Sequence, residues 1–532
     1  MANHVYYGDN LEVLRESIKS ESVDLIYLDP PFNSNANYNV LFRSPSGVSS
    51  QAQIEAFEDT WHWNNAAEKA FDEVMGGPNP DVAEMLRAMR SFLRDNDMMA
   101  YLTHMAVRLI ELHRVLKPTG SIYLHCDPTA SHYLKVLMDA VFGKERFKNE
   151  VIWKRYGAHN DVGQGSKHYG RVHDTILFYT RDAQFTWTQL FGPLDKQYVE
   201  ETYRHIDETT GKRYTTTPMT GPGGSEKGNP VFEWNGHTRA WRYSKASIQK
   251  LHDEGRLHYS KTGYARQKLY FSESKGVPVQ SLWTDISPLA GSNKERLNYP
   301  TQKPVALLER ILSASSNPGD VVLDPFCGCG TTVHAAEKLD RQWIGIDITH
   351  LSISLIEKRL KDTFPGIKFD VHGTPKDLEG ARDLSNRDKY QFQWWAVSLV
   401  DAVPFGGKKK GADGGIDGHI YFKSGAKSTE KAIVSVKGGG VGVRDIRELT
   451  AVVDRERAKI GVYISLEPHT RPMIEEAAGA GLYDGPTGKV PKIQLFTIEE
   501  LFAGKKPKIP LIERGFKAAA REERDDQSDL DL

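Results

Sequence analysis

The hydrophobic pattern of residues 1–365 alternates short, nearly continuous apolar runs with longer segments in which apolar residues recur every three or four positions. Continuous runs are typical of parallel strands buried on both faces, and the longer segments are typical of amphipathic helices. This alternation predicts an α/β fold with a doubly wound sheet. The predicted strands include residues 4–8, 23–28, 121–124, 321–324 and 343–347, and the predicted helices include residues 98–116, 304–315 and 351–363.

The apolar run at residues 23–28 ends abruptly at Asp29-Pro30-Pro31-Phe32. Because proline has no backbone N–H to donate to a sheet, the two prolines end the strand. Ligands of open α/β sheets bind outside the carboxyl ends of the strands, so these residues are expected to line a ligand site. The Asp29 carboxylate and the Pro30 carbonyl accept hydrogen bonds and Phe32 offers a flat face, which suits a base with an exocyclic NH₂. Taken alone, the motif fits equally well a strand ending in a Pro-Pro turn.

A second apolar run leads into a glycine-rich turn, and the segment reads Asp324-Pro325-Phe326-Cys327-Gly328-Cys329-Gly330-Thr331-Thr332. Glycines let the backbone turn tightly and approach a ligand, and the threonines open a helix. The next strand ends at Asp347, at a spacing that suits ribose hydroxyls. Strand, glycine turn, helix, strand and terminal acid predict a nucleoside-binding βαβ unit. The incomplete G-x-G-x-x-G pattern argues against NAD.

The two motifs together resemble those of DNA amino-methyltransferases. Residues 29–32 resemble the catalytic motif of that family, and residues 324–330 resemble its S-adenosylmethionine motif. Because the catalytic motif comes first, the chain resembles the circularly permuted β class. The resemblance covers most of residues 1–365, including residues 299–304 before the second motif. It implies a Rossmann-like methyltransferase domain with S-adenosylmethionine as its cofactor.

The resemblance also assigns expected roles to individual residues. Catalytic roles are expected for Asp29, Pro30, Pro31 and Phe32. Cofactor contacts are expected for Asp9, Thr301, Lys303, Asp324, Pro325, Phe326, Gly328, Gly330, Thr331, Thr332 and Asp347. For Asp9, a role at the start of the helix that follows it is an equally good interpretation.

The expected activity is site-specific methyl transfer from S-adenosylmethionine to the exocyclic N6 of adenine in duplex DNA, within a restriction-modification system. Aspartate at the first position of the catalytic motif favours adenine in the family. The alternatives are N4 of cytosine, or an amine of RNA or protein, because related motifs serve those substrates.

Residues 155–285 break the doubly wound pattern and are predicted to form a β-rich insertion. Cationic side chains interleave here with aromatic ones, and such residues neutralise phosphates and contact bases. Because the family places target recognition between its motifs, the insertion is expected to bind double-stranded DNA; a solvated insertion without DNA contacts is the alternative. The candidate DNA-binding residues are Arg239, Arg242, Lys245, Arg266 and Lys268.

Residues 366–388 are polar and are predicted to form a linker to a second domain at residues 389–510. In that domain Asp417 precedes one predicted strand and Lys437 ends the next. A carboxylate and a lysine on neighbouring strands suit a divalent metal and a water poised for phosphodiester hydrolysis. The pattern resembles the PD-(D/E)xK restriction-endonuclease-like domains of the Mrr branch. The resemblance implies Asp417 as a ligand of Mg²⁺ and Lys437 as the catalytic lysine.

The C-terminal domain departs from that family at Ser435, two positions before the lysine, where an acid or glutamine is usual. Serine is a poor ligand for a divalent metal, and Asp413 and Glu448 are the candidate replacements. The alternative is a domain retained only for DNA binding. The charged residues 511–532 are expected to be a disordered tail.

Composition narrows the remaining function classes. The 532 residues exceed one ordinary domain. No apolar run approaches the ~20 residues that cross a bilayer, so no membrane partner is expected. The start of the chain lacks signal-peptide features and its three cysteines make no disulfide framework, which indicates a cytoplasmic location. A net charge of −1 neither supports nor excludes DNA binding. A second copy of the chain or subunits of a restriction system are the expected protein partners.

Overall fold

The computed structural model describes residues 3–510 except 32–36, 44–48, 59–61, 156–166, 168, 222, 290–292, 294, 298, 300, 406–414, 424–428 and 486–487. The predictions made for Phe32, Asp413 and residues 511–532 therefore concern residues outside the described ranges. The chain divides into two compact units, which are residues 1–188 with 281–524 and residues 189–280.

The first unit opens with strands and helices up to residue 188. The strands are β1 (Asn3–Tyr7), β2 (Val23–Leu28), β3 (Asn37–Arg43), β4 (Ser49–Glu58), β5 (Leu116–Cys126), β6 (Phe147–Lys154) and β7 (His173–Thr180). The helices are α1 (Asn10–Ser17), α2 (Asn65–Met75), α3 (Pro80–Leu93), α4 (Asp97–Val115) and α5 (Ser131–Phe142).

The second unit is composed of short strands and two helices around a small apolar core. Its strands are β8 (Phe191–Gly192), β9 (His205–Ile206), β10 (Arg213–Pro218), β11 (Val231–Trp234), β12 (His237–Ala240), β13 (Leu257–Tyr259), β14 (Ala265–Tyr270) and β15 (Val277–Pro278), and its helices are α6 (Lys196–Thr202) and α7 (Lys245–Asp253). Met219, Trp241 and Ile248 are fully buried in that core. This unit is shorter than the predicted insertion at 155–285, because β7 pairs with β5 and β6 and so belongs to the first unit.

The first unit then resumes with the elements that complete its main sheet. They are β16 (Leu282–Trp283), α8 (Val305–Ser315), β17 (Val321–Asp324), α9 (Thr331–Lys338), β18 (Gln342–Asp347), α10 (His350–Thr363), β19 (Phe369–His372) and α11 (Leu378–Arg387). The sheet has nine strands in the order β16-β6-β7-β5-β2-β17-β18-β1-β19. From β5 to β19 all neighbours are parallel. The predicted α/β fold is confirmed.

The centre of the main sheet is buried on both faces because helices cover both sides. In β2, Leu25, Ile26 and Leu28 are fully buried although they point alternately to opposite faces. The buried core on one side is rich in residues of α4, which packs against α1, α2, α3 and α5. This two-sided burial explains why the strand sequences are almost continuously apolar.

The segment predicted as a linker, residues 366–388, contains the edge strand β19 and the helix α11. Strand β19 pairs in parallel with β1, and Ala381 and Leu384 of α11 are buried in the core of the C-terminal domain. The polar composition misled the prediction, because an edge strand and a helix with one buried face need only a few apolar residues each.

The C-terminal domain is built on a five-stranded sheet in the order β20-β21-β22-β23-β26, defined by the ranges that follow. The elements are α12 (Lys389–Ser398), β20 (Val403–Pro404), β21 (Gly418–Lys423), β22 (Thr429–Lys437), α13 (Val443–Arg455), β23 (Ile460–Ser465), α14 (Arg471–Gly479), β24 (Leu482–Gly485), β25 (Gly488–Pro491), β26 (Ile493–Thr497) and α15 (Ile498–Phe502). Val434 and Val462 pack on the side of α12, and Ile433 and Tyr463 pack on the side of α13. Among the described residues, no helix has the length and apolar character to cross a bilayer.

Candidate active site

Four neighbouring parallel strands of the main sheet each lead to an aspartate at the same edge. Strand β2 leads to Asp29, β17 ends at Asp324, β18 ends at Asp347, and β1 leads to Asp9 two residues beyond its end. Parallel strands place their carboxyl ends together, so the four carboxylates converge. They line one cavity with a volume of about 700 Å³.

The cavity brings together nearly all described residues that were predicted for the site. Those that line it are Asp9, Asp29, Pro30, Pro31, Thr301, Lys303, Asp324, Pro325, Phe326, Gly328, Thr331, Thr332 and Asp347. Gly330 is not among the lining residues and is the N-cap residue of α9. Its backbone supports the turn rather than the wall of the cavity.

The glycine turn after β17 needs its glycines for conformation and for space. Gly328 and Gly330 have φ angles of 53° and 79°, in the left-handed region that side chains disfavour. A Cβ atom on Gly330 would lie 2.9 Å from Ile356 Cγ1. The Asp347 carboxylate accepts hydrogen bonds from Gly328 N and from Thr349 N, each at 2.9 Å. Asp347 therefore holds the turn in place from the end of the next strand.

Asp9 caps a helix and also lies at the wall of the cavity. It is the N-cap of α1, because its Oδ1 accepts from Leu11 N at 2.7 Å, and it also lines the cavity. Arg108 donates to both Asp9 oxygens at 3.1 Å and to Asn10 Oδ1 at 2.6 Å. Asn10 in turn donates to Pro325 O at 2.8 Å. This chain of contacts ties the start of α1 to the glycine turn.

Arg108 and His104 line the cavity from α4, and neither was predicted as a site residue. The sequence carries one signal for Arg108, which is a charged residue in the middle of a helix face that is otherwise apolar. Such a residue is buried only when it is paired. Burial, together with the charge of Arg108, lowers the pKa of His104 to about 4, so this imidazole is neutral at pH 7.

The Asp29 carboxylate has two oxygens in different environments. One oxygen forms an ion pair with Lys303, whose side chain is also buried. The other, Oδ1, is buried and has no hydrogen-bond partner among the described residues. A buried acceptor without a donor is costly, so this oxygen is poised to accept a hydrogen bond from a ligand in the cavity.

Asp324 is the most deeply buried of the four aspartates, with a relative exposure of 3%. Its Oδ1 accepts from Phe326 N at 3.0 Å. Burial raises the pKa of Asp324 to about 7, and the charges of Asp29 and Asp347 act in the same direction. Near neutral pH this carboxyl group is therefore partly protonated in the free protein.

A buried hydrogen-bond network lies behind Asp29. The Tyr27 hydroxyl is 2.8 Å from His125 Nδ1, and His125 Nε2 is 2.9 Å from Asp174 Oδ2. Arg155 donates to the other Asp174 oxygen at 2.8 Å. Burial alone would raise the pKa of Asp174, but the hydrogen bond with His125 holds it below its usual range. The network joins the ends of β2, β5 and β7, and so supports the strand that leads to Asp29.

Comparison with known families assigns the first part of the chain. A family model described as DNA methylase matches residues 23–358, which include both motifs of the cavity. The chain belongs to this DNA methylase family. A second model, described as restriction endonuclease, matches residues 384–503. The chain therefore combines a methylase domain with a C-terminal restriction-endonuclease domain, and both predicted resemblances are confirmed.

Curated relatives of the DNA methylase domain include several restriction-modification methyltransferases. Type II methyltransferase M.EcaI of Enterobacter cloacae is 29% identical over 68% of this chain and 69% of that protein. M.HpaI of Haemophilus parainfluenzae is 44% identical over 51% of this chain and 63% of that protein. The DNA adenine methyltransferase YhdJ of Escherichia coli is 25% identical over 68% of this chain and 83% of that protein.

Two solved structures of DNA methylases each cover about two thirds of the chain. A DNA modification methylase of Thermus thermophilus covers 70% of this chain and 99% of its own, with 16% identity and a TM-score of 0.34. The PvuII DNA methyltransferase, described as cytosine-N4-specific, covers 67% of this chain and 86% of its own, with 14% identity and a TM-score of 0.35.

The restriction-endonuclease domain places Asp417 and Lys437 on adjacent segments of its sheet. Asp417 precedes β21, and its Oδ2 accepts from Val436 N at 2.7 Å. The side chain of Glu448, a predicted replacement acid, is exposed and pairs with Arg444 at 2.9 Å. Asp445 Oδ1 lies 4.0 Å from Lys437 Nζ. Asp445 was not predicted, because it comes near Lys437 only through the position of the first turn of α13 beside β22.

The predicted DNA-binding residues of the second unit fall into two groups. Arg239, Arg242 and Lys245 are exposed. Lys268 instead forms a 2.5 Å ion pair with the buried Asp207, and Arg266 donates to Thr216 Oγ1 at 2.8 Å. Lys268 and Arg266 thus contribute to the internal structure of this unit.

We expect Asp324→Asn to remove a pH dependence of stability. The folded pKa of about 7 lies above the ordinary value of 3.8, so protonation of Asp324 favours the folded state. That contribution is fully present below about pH 4 and is lost as the pH rises through about 7. The original protein loses this contribution between pH ~5 and ~8, and the variant has none to lose. The difference in free energy of unfolding, variant minus original protein, should therefore rise by roughly 2–3 kcal/mol over this range. Denaturant titrations of the free protein at both pH values measure this.

The control for that experiment is Glu16→Gln, which removes an exposed carboxylate on α1. It should show the same pH profile as the original protein. An Asp324→Asn variant whose stability followed that profile as well would contradict the raised pKa.

Proposed function

We propose that the chain transfers the methyl group of S-adenosylmethionine to the exocyclic N6 of adenine in duplex DNA, in site-specific fashion. The observation that carries this proposal is the buried, unpartnered Oδ1 of Asp29 in the same cavity as the glycine turn and Asp347. An amino group is a donor that satisfies this oxygen. The family membership supplies the reaction class, and the cavity supplies an acceptor for an amine.

The cavity fits S-adenosylmethionine in size and in charge. A volume of about 700 Å³ lies within the range of small-molecule sites. Several carboxylates line it, and they suit both a positively charged sulfonium and the hydroxyl donors of a ribose. S-adenosylmethionine supplies an activated methyl group. We assign Asp347 and residues 328–332 to its nucleoside, and Thr301 and Lys303 to its methionine end.

Asp29 and Pro30 act on the amine of the target base. Hydrogen bonds from the amine to Asp29 and to the Pro30 carbonyl disfavour delocalisation of the nitrogen lone pair into the ring. Lys303 offsets the charge of Asp29 through its other oxygen, which leaves Oδ1 as an acceptor. The target base must leave the duplex to reach this depth, as chemistry on a base requires. Positioning then accounts for much of the acceleration.

We assign the contacts with duplex DNA outside the cavity to the second unit. Its exposed cations Arg239, Arg242 and Lys245 are available to phosphates, whereas Lys268 is paired with Asp207. Adenine is the proposed base because aspartate stands at the first position of the catalytic motif. A restriction-modification system is the proposed setting, with subunits of that system or a second copy as partners.

We expect Asp29→Ala and Asp347→Ala to separate the two half-sites. Asp29→Ala removes the acceptor for the amine, so methyl transfer to duplex DNA should fall at least ~100-fold while S-adenosylmethionine affinity stays within about threefold. Asp347→Ala removes the support of the glycine turn, so cofactor affinity should fall at least ~10-fold, or about 1.4 kcal/mol. Transfer of labelled methyl groups and calorimetric titration of the cofactor measure the two effects.

The matched control is Asp127→Ala, which changes another aspartate beyond a strand of the same sheet. Asp127 follows β5, and its Oδ1 accepts from Thr129 N and Ala130 N in its own turn. It should retain both transfer and cofactor binding. If Asp29→Ala weakened cofactor binding as much as Asp347→Ala did, the proposed division of roles would be wrong. Methyl transfer to cytosine, RNA or protein instead of adenine would overturn the substrate assignment.

The restriction-endonuclease domain supports a second candidate function, which is Mg²⁺-dependent cleavage of unmethylated DNA. The supporting observation is that Asp417 and Lys437 border the same pair of strands, with Asp445 at 4.0 Å from the lysine. Asp417 would hold the metal, which supplies a charge that activates water and stabilises the leaving oxygen. We propose that Asp445 replaces the acidic residue that is usual in the family at the position of Ser435.

Cleavage of unmethylated duplex DNA with Mg²⁺ is expected for the original protein and should be lost in Asp417→Ala and Asp445→Asn. Glu448→Ala is the matched control, because Glu448 lies on the same helix but pairs outward with Arg444. Gel analysis of the DNA reads out cutting. Absence of cutting by the original protein, with and without S-adenosylmethionine, would leave the domain as a DNA-binding module only.

A further inference from the structure

Two histidines and an aspartate form a cluster at the edge of the main sheet. None of the three has a role in the functions proposed above. His4 lies on β1, and Asp370 and His372 lie on the edge strand β19. Nδ1 of His4 is 3.0 Å from Nε2 of His372 and 3.8 Å from Oδ2 of Asp370. The ligand atoms of the three side chains all lie within 4.8 Å of one another.

The strand register explains why the three side chains meet. In the parallel pair, His4 lies opposite Asp370 and Tyr6 lies opposite His372. Residues two apart on a strand point to the same face, so all four side chains lie on one face of the sheet. Tyr6 stacks on His372 with ring centroids 4.5 Å apart and an interplanar angle of 17°, which orients the His372 imidazole.

The spacing of these atoms is close to that of ligands around a zinc ion. Zinc–ligand bonds of about 2.0–2.1 Å in a tetrahedral arrangement separate the ligand atoms by about 3.3 Å. The observed 3.0 and 3.8 Å bracket this value. Imidazole nitrogens and a carboxylate are ligands that zinc favours. The cluster offers three protein ligands. The fourth position of a tetrahedral ion would then be open to water.

A plain hydrogen bond between the imidazoles explains less of the geometry. One N–H···N bond accounts for the 3.0 Å distance, but Asp370 stands at 3.8 Å from His4, beyond hydrogen-bond range. An ion bound between the three side chains accounts for both distances at once.

We propose that His4, Asp370 and His372 bind a divalent transition-metal ion of the zinc type, with water in the fourth position. The ion would join the first strand of the chain to β19, two segments whose histidines are 368 residues apart in sequence. Helix α11, the first helix to contribute to the C-terminal core, follows β19 directly. The ion therefore stabilises the end of the methylase sheet at the point where the chain enters the next domain.

The test is direct titration of the chelator-treated full chain with Zn²⁺ by calorimetry, and with Co²⁺ by visible absorption. The original protein should bind one equivalent of Zn²⁺ more than His372→Ala and show a larger Zn²⁺-dependent increase in the thermal unfolding midpoint. Bound Co²⁺ should give the intense absorption of a tetrahedral site. Asp370→Asn, which changes an exposed side chain, should bind Zn²⁺ at least ~10-fold more weakly, and His372→Ala should lose the site.

The matched control is His62→Ala, which breaks an exposed histidine–aspartate pair, His62 Nδ1 to Asp97 Oδ1 at 3.1 Å, that has no third ligand in the described chain. It should bind Zn²⁺ as the original protein does. Circular dichroism confirms that each variant is folded. If the original protein bound no more Zn²⁺ than His372→Ala, or if all variants bound alike, the site would be refuted and the imidazoles would be a hydrogen-bonded pair. Methyl transfer plays no part in this readout.

Discussion

The parallel pairing of β2 with β17 is the constraint on which the rest of the structure depends. The register aligns Val322 with Leu25 and Leu323 with Ile26. Because both strands run the same way, their carboxyl ends meet at one edge of the sheet, and Asp29 and Asp324 face one cavity. The two half-sites come from opposite ends of the methylase domain. The strand pairing and the buried, two-sided packing of these apolar strands hold them together.

The four aspartates at the cavity repel one another when they are ionised. The surrounding residues reduce this repulsion in different ways. Lys303 pairs with Asp29, and Arg108 pairs with Asp9. Asp347 takes hydrogen bonds from the backbone at Gly328 and Thr349. Asp324 has no cationic partner among the residues that the structure describes, and burial raises its pKa. A positively charged ligand in the cavity would relieve the same repulsion, which agrees with the proposed sulfonium.

The C-terminal domain is packed against the methylase domain without a polar spacer. Trp394 of α12 belongs to one apolar cluster with Tyr299, Cys329 and Leu351, and Tyr299 and Cys329 also line the cavity. His350 N donates to Gln391 Oε1 at 3.3 Å, and the His350 ring stacks on Tyr7 at 3.7 Å. The apolar cluster beside the proposed cofactor site thus includes a residue of helix α12.

The sequence alone determined the strands, their buried character, and the two motifs, because each of these is a local property of a few consecutive residues. Continuous apolar runs, a Pro-Pro stop and a glycine turn predicted where ligands would bind and which residues would line the site. It did not reveal the ion pair of Asp29 with Lys303, the clamp of Arg108 on Asp9, or the approach of Asp445 to Lys437. These contacts join residues from different elements, and they depend on strand order, register and helix orientation.

The same distinction explains the errors. Residues 366–388 look like a linker because polar residues dominate them, but β1 offers β19 an edge to pair with and α12 offers α11 an apolar face. The cluster of His4, Asp370 and His372 could not be predicted from the sequence either. Its first member lies at the start of the chain and the other two lie more than 360 residues later. Local sequence decides what each segment can form. Only the tertiary structure decides which side chains meet, because the local pattern of a segment does not specify the distant segment with which it pairs.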